Sequence, residues 1–231
     1  MNASDQSPAR GSFVREFAAR YSAAFSRRGF VSDLAVAMLG FCAAVVISFY
    51  AIAYATERAS NPVTDIVLSN TPTVNLDGVF AVATLLLITS VVAVLLYDPK
   101  RIPFSLNALT LFFIIRSGFI SLTHIGPYPS LPPDENWSGL TRHFLFGGDL
   151  FFSGHVGTPF LLALMFWRQR TVRVFFLTWS VVMAVIVLLG HLHYSIDVAS
   201  AYFITYTIFV LAERFFPDTR ALFFGGTVPA K

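Results

Sequence analysis

Hydrophobic and polar positions in this chain fall into long blocks rather than alternating at the spacing of a water-soluble helix. Six apolar blocks stand out, at Leu34–Ala55, Gly78–Tyr97, Phe104–Ile125, Leu150–Trp167, Val172–Gly190 and Val198–Phe216. Each has roughly 18 to 25 residues, enough to cross the ~30 Å hydrocarbon core of a bilayer as a helix. The fourth is the least regular, because Gly154, His155 and Pro159 interrupt its first half. Polar, proline-marked stretches separate the blocks. Pro127, Pro129, Pro132 and Pro133 crowd the longest of them, at about 126–149, which reads as a turn-rich loop.

The pattern predicts an all-α polytopic membrane protein with six transmembrane helices. It divides the chain into a polar, basic N-terminal segment (1–33), one membrane domain (34–216) and a short tail (217–231). Composition agrees: 55% of residues are hydrophobic and only 13% charged, against about 25% charged in a soluble domain. The first 30 residues lack the apolar core of a cleavable signal peptide, so the first block is expected to be a retained anchor. Cys42, the single cysteine, excludes an intramolecular disulfide and a zinc cluster built from several cysteines. A formal charge of +3 gives no reason to expect nucleic acid.

Lys and Arg orient the spans. Arg10, Arg15, Arg20, Arg27 and Arg28 precede the first, Lys100 and Arg101 follow the second, Arg168, Arg170 and Arg173 follow the fourth, and Arg214, Arg220 and Lys231 end the chain. The other side holds Arg58 and Arg142, a bias of thirteen against two. By the positive-inside rule both termini are cytoplasmic.

That topology gathers the ionisable residues of three distant segments in one outer layer. The fifth span ends there in HLHYSID, with His191, His193 and Asp197; the fourth begins there in GGDLFFSGH, with Asp149, Ser153 and His155; the third carries Arg116 in its outer half, with His124 at its end. Charged groups at this depth are costly without a purpose. His193 and Asp197 are four residues apart on one helical face, within hydrogen-bond reach. A carboxylate on one imidazole nitrogen fixes the tautomer and raises the basicity of the other. An oriented imidazole, a second histidine (His155) to move a proton, and an arginine to hold oxygens make a minimal apparatus for displacement at phosphorus.

GDLFFSGH followed some forty residues later by HLHYSID resembles the sphingomyelin synthase family, a branch of the superfamily that includes the type-2 phosphatidic acid phosphatases. The family's motifs have the form C-G-D-x-x-x-S-G-H-T and H-Y-[ST]-x-D. RSGFISLTHIGP is similar to the family's arginine-containing third span, and the likeness runs over about residues 40 to 216. It implies His193 as a nucleophile forming a phosphohistidine, Asp197 as its orienting partner and His155 as proton donor and acceptor. It further implies a glycerophospholipid head-group donor, ceramide or a similar hydroxyl lipid as acceptor, released diacylglycerol, and neither metal nor other cofactor. Gly147 stands in place of the motif cysteine, Val156 in place of the threonine after the histidine, and His124 where a second threonine is common. These departures leave the head group and acceptor open. The arginine that soluble-type phosphatases carry six residues before the second histidine is Val187 here.

Around the triad, Arg116 and Arg142 read either as phosphate contacts or as structural cations. Asp149 reads as a cap of the fourth helix or a substrate-facing group, and His191 as a wetted surface residue or part of the site. Ser153 and Gly154 shape the turn before His155 and let phosphate approach the backbone. Two other readings stand beside the transferase. Water could resolve the same phosphohistidine, giving a lipid phosphate phosphatase or phospholipase C-type hydrolase, or the protein is a non-catalytic membrane component. A multi-pass protein of a bacterial inner membrane with a periplasmic site is favoured over a eukaryotic secretory membrane with a lumenal one. Organism and oligomeric state are not legible.

Overall fold

Helices in lipid gain little from expelling water against one another, so close packing through small residues marks their contacts. The structure, a computed structural model, describes residues 8–129 and 150–225. Among these it has eight α-helices, two short 3-10 turns and no strand. The helices are α1 (Pro8–Phe25), α2 (Phe30–Glu57), α3 (Asp77–Tyr97), α4 (Ile102–Leu122), α5 (Gly154–Met165), α6 (Arg170–Leu189), α7 (Ser195–Phe215) and α8 (Pro217–Phe224). The 3-10 turns are Leu68–Asn70 and Pro99–Arg101.

α2 packs along α4 through a seam of small residues, with Ala37, Ala44, Ser48, Ala51 and Ala55 buried. Its opposite side leaves Val36, Leu39, Val46 and Tyr50 exposed, an apolar surface that suits lipid. α5 lies against both α6 and α7. At Gly157 the approach is so close that a Cβ would sit 2.8 Å from both Thr205 Oγ1 and Phe112 Cε2. A larger residue there would push α4 and α7 away from the start of α5.

Among the described residues five helices are long and apolar enough to cross a membrane: α2, α3, α4 with the turn before it, α6 and α7. The fourth expected span differs. Its helix has 12 residues, about 18 Å, and the chain before it from Leu150 to Ser153 is not helical. Irregular backbone at membrane depth is tolerated where protein satisfies its polar groups, and here the partners are specific. Phe151 N–H donates to Asp197 Oδ1 at 2.9 Å, Phe152 C=O accepts from Arg116 Nε at 2.9 Å, and Ser153 N–H donates to the Asp197 carbonyl at 3.2 Å. The residues that read as chemistry in the sequence are also those that hold this break in the helix.

The polar N-terminal segment is itself helical as α1 and docks on the end of α3. Tyr21 donates its hydroxyl to Leu96 C=O at 2.9 Å, and the Arg20 guanidinium lies 4.1 Å over the Tyr97 ring. At the opposite end of the bundle, the loop after α2 covers the ends of the other helices. Its Ser60 N–H donates to His124 C=O, its Asn61 C=O accepts from Gly126 N–H, and Val74 N–H donates to Leu189 C=O.

Candidate active site

α6 stops just before the site through a hydrogen-bonded C-terminal turn. Leu192 N–H returns to Val187 C=O and His191 N–H to Leu188 C=O, which places His191 in the left-handed region at φ 53°. Glycine usually fills that position, because a side chain there costs about 1 kcal/mol. The histidine uses its ring to tie down the loop between α2 and α3 instead. Nδ1 lies 3.0 Å from Thr73 Oγ1 and Nε2 3.5 Å from Thr71 Oγ1, with the Tyr128 ring edge-on at 5.2 Å. The structure therefore places His191 in a loop anchor, 3% exposed.

α7 starts at Ser195 and its third residue, Asp197, faces back toward its own N-terminus. Asp197 Oδ2 accepts from Tyr194 N–H at 3.0 Å and lies 3.0 Å from His193 Nδ1; Oδ1 accepts from Phe151 N–H. A carboxylate that already accepts two backbone N–H groups presents an acceptor to the imidazole, so Nδ1 carries the proton and Nε2 keeps its lone pair. His193 is 5% exposed and Asp197 fully buried, so the pair is shielded from screening by bulk solvent. Phe151, which supplies the third donor, has φ 100°. Its carbonyl accepts from Ser200 Oγ at 2.6 Å and its ring stacks on Phe119 at 5.6 Å. Strained backbone held from several sides in this way is common where a site must keep its geometry.

The other half of the site is the N-terminus of α5. Ser153 is its N-cap residue and fully buried, yet its Oγ makes no cap and has no hydrogen-bond partner among the described residues. Helix geometry leaves the first N–H groups of α5 without intrahelical acceptors, a natural place for an anion. Arg116, 3% exposed, lies across Gly154: a Cβ on that glycine would come within 3.1 Å of Nε and 3.3 Å of Cζ. The absence of a side chain at 154 is what admits the guanidinium. His155 follows directly, and its ring packs on Phe80 of α3 with 4.6 Å between centroids.

Of the residues expected from sequence, the structure gathers Arg116, Ser153, Gly154, His193 and Asp197 around the segment 151–154, with His155 next in the chain. Arg142 and Asp149 lie outside the described residues. Four contributors were not anticipated: Phe80, Phe151, Asp65 and Tyr194. Asp65, in the loop after α2, is 7% exposed and reaches the start of α7, where Oδ2 accepts from Ser195 N–H at 2.7 Å and Ser195 Oγ at 2.8 Å. Its Oδ1 accepts from Val67 and Leu68 N–H. Burial alone would raise its pKa, but the hydrogen bonds from Leu68, Ser195 and Val67 outweigh it and hold the carboxyl below its ordinary value. Tyr194 donates its hydroxyl to Gly126 C=O at 2.8 Å and accepts from Val63 N–H, pinning the loops after α2 and α4 together beside the histidine. The tyrosine was visible in HYSID, but its partners, 68 and 131 residues away, were not.

Residues 147–214 match the family model described as PAP2 superfamily C-terminal. That stretch contains His155, His193 and Asp197, and over it the chain is similar to the C-terminal part of that superfamily. No curated protein and no solved structure matches the chain.

Proposed function

We propose that this protein is an integral-membrane lipid phosphotransferase. It moves a phospho-head group from a glycerophospholipid to ceramide or a similar hydroxyl lipid and releases diacylglycerol. The observation that carries this reading is the buried His193–Asp197 contact of 3.0 Å, with Asp197 also accepting from Phe151 N–H and Ser153 N–H at the entry to α5. In the first step His193 Nε2 attacks the donor phosphorus. The bond from phosphorus to the glycerol oxygen breaks, and His155 delivers a proton to that oxygen. In the second step His155 takes the proton of the acceptor hydroxyl, whose oxygen attacks the phosphohistidine and frees His193. Arg116, Ser153 Oγ and the first N–H groups of α5 hold the phosphate oxygens, where charge grows as phosphorus becomes five-coordinate. Asp197 holds the imidazole from its Nδ1 side in both steps. With both termini cytoplasmic, the reaction faces the periplasm of a bacterial inner membrane.

A product assay tests this. Purified protein receives fluorescent ceramide and one of phosphatidylcholine, phosphatidylethanolamine, phosphatidylglycerol or phosphatidylinositol. The expected result is one labelled phosphosphingolipid with stoichiometric diacylglycerol, abolished in His193→Ala and His155→Ala although both variants still insert in the membrane. Diacylglycerol or free phosphate without labelled product would replace the transferase by a hydrolase. Full turnover in either variant would remove that histidine from the mechanism.

A further inference from the structure

A second polar cluster lies at the opposite end of the bundle. Tyr97 closes α3 some 25 Å along the helix from Phe80, which touches His155. Beside Tyr97 a cavity of about 460 Å³ opens among α1, the Pro99–Arg101 turn and Gln169 at the start of α6. Arg20, Arg27, Lys100 and Arg101 line it with one carboxylate, Asp98, while Arg20 is also paired with Glu16 at 2.6 Å. Asp98 is already shared, lying 3.0 Å from Arg101 Nε and 3.6 Å from Lys100 Nζ. It cannot also neutralise Arg27. The Arg27 Nη1 atom is shut off from solvent and has no hydrogen-bond partner among the described residues. A sequestered guanidinium nitrogen without an acceptor asks for one from outside the chain.

The geometry points to a binding site here for a phosphate-bearing anion, with the head group of an anionic glycerophospholipid as its source. The cavity sits where the apolar helices α3 and α4 end, at the level of a membrane surface. α1 carries Phe13, Phe17, Tyr21 and Phe25 as a continuous row, with neighbouring ring centroids 6.4, 4.7 and 6.4 Å apart. Phe13 and Phe25 remain about half exposed. A helix with an aromatic row and arginines beside it suits the head-group boundary, where the rings enter the acyl layer and the cations meet phosphates. A lipid seated there would tie α1 to the α3–α4 turn and to α6, independently of the chemistry at the other end.

The full chain, purified in neutral detergent, is incubated with phosphatidylglycerol, phosphatidylcholine or inorganic phosphate and examined by native mass spectrometry. Phosphatidylglycerol adducts are expected to exceed phosphatidylcholine adducts about tenfold, the scale of one charged hydrogen bond. Arg27→Gln and Lys100→Gln should each remove most of that preference, whereas Arg170→Gln, outside the cavity, should not. Lys100 is 42% exposed, so its variant keeps the test decisive if Arg27→Gln fails to fold. Equal adducts in the wild type and in the folded cavity variants would overturn the site. Inorganic phosphate competing away the phosphatidylglycerol adduct at comparable concentration would overturn the lipid source in favour of a soluble anion.

Discussion

Replacing Asp197 by asparagine keeps the shape of the side chain and removes its charge, which isolates what the carboxylate does for His193. The native oxygens serve three donors: His193 Nδ1–H and Tyr194 N–H at Oδ2, and Phe151 N–H at Oδ1. An amide has one acceptor oxygen. If that oxygen takes the Oδ2 position, the NH2 group opposes Phe151 N–H. If it takes the Oδ1 position, the NH2 group opposes Tyr194 N–H and forces the imidazole into the tautomer with its proton on Nε2, where attack is impossible. Either arrangement strands a buried donor, worth about 1–3 kcal/mol of stability. Both remove the negative charge facing the imidazolium that forms when phosphorus is attached. With charge centres about 4 Å apart and an effective dielectric near 20, that attraction is about 4 kcal/mol, or about three decades in rate. Diacylglycerol release by Asp197→Asn should therefore fall about a thousandfold. The measurement is made at a temperature where the variant's thermal midpoint shows it folded. A folded variant within tenfold of wild type would refute the role assigned to Asp197.

Three further perturbations separate positioning from scaffolding. Gly154→Ala puts a methyl 3.1 Å from Arg116 Nε, so the guanidinium must shift by a few tenths of an ångström; turnover should drop about ten- to a hundredfold with little change in thermal midpoint, and unchanged turnover would remove Arg116 from phosphate binding. His191→Asn keeps tolerance of the left-handed backbone and a polar group for Thr73, so turnover should stay within about fivefold; a loss of two decades would place His191 among the reacting groups. Asp65→Asn should lower stability by about 1–3 kcal/mol, because charged hydrogen bonds at the start of α7 are weakened. Since the folded Asp65 carboxyl is held below its ordinary value, its stabilisation is present above about pH 4 and lost as pH falls through the folded pKa. The variant's thermal midpoint should therefore decline less on acidification than the wild type's, and parallel decline would sink the argument.

Much of the architecture was legible because lipid imposes a simple rule: a spanning helix must be apolar along its length. Five of the six blocks became helices of membrane length. The fourth did not, and its glycine, histidine and proline had marked it as irregular. His155, His193 and Asp197 were picked out because they sit in two short motifs; the His193–Asp197 contact forms with His193 just before the helix, because Asp197 in the first turn of α7 faces back across its N-terminus. The sequence alone also identified Arg116 as a buried cation in need of a purpose.

Tertiary structure decided what those residues lean on. That Asp197 supports the backbone of 151–153 as well as an imidazole depends on α7 lying beside the break before α5. Arg116 reaches the site because Gly154, 38 positions later, lacks a side chain. His191 read in HLHYSID as either a wetted surface residue or part of the site, and the helix-ending turn decides it: one ring turns toward Thr71 and Thr73, the other toward Asp197. Asp65 gave no signal, since a single loop aspartate is indistinguishable from a solvated one until the chain brings Ser195 to it across 130 residues. Periodicity and spacing record interactions along one helix, and so reveal which segments cross the membrane and which neighbours share a face. Contacts between helices depend on how close two backbones come and which atoms they leave unpaired, and only the packed chain decides that.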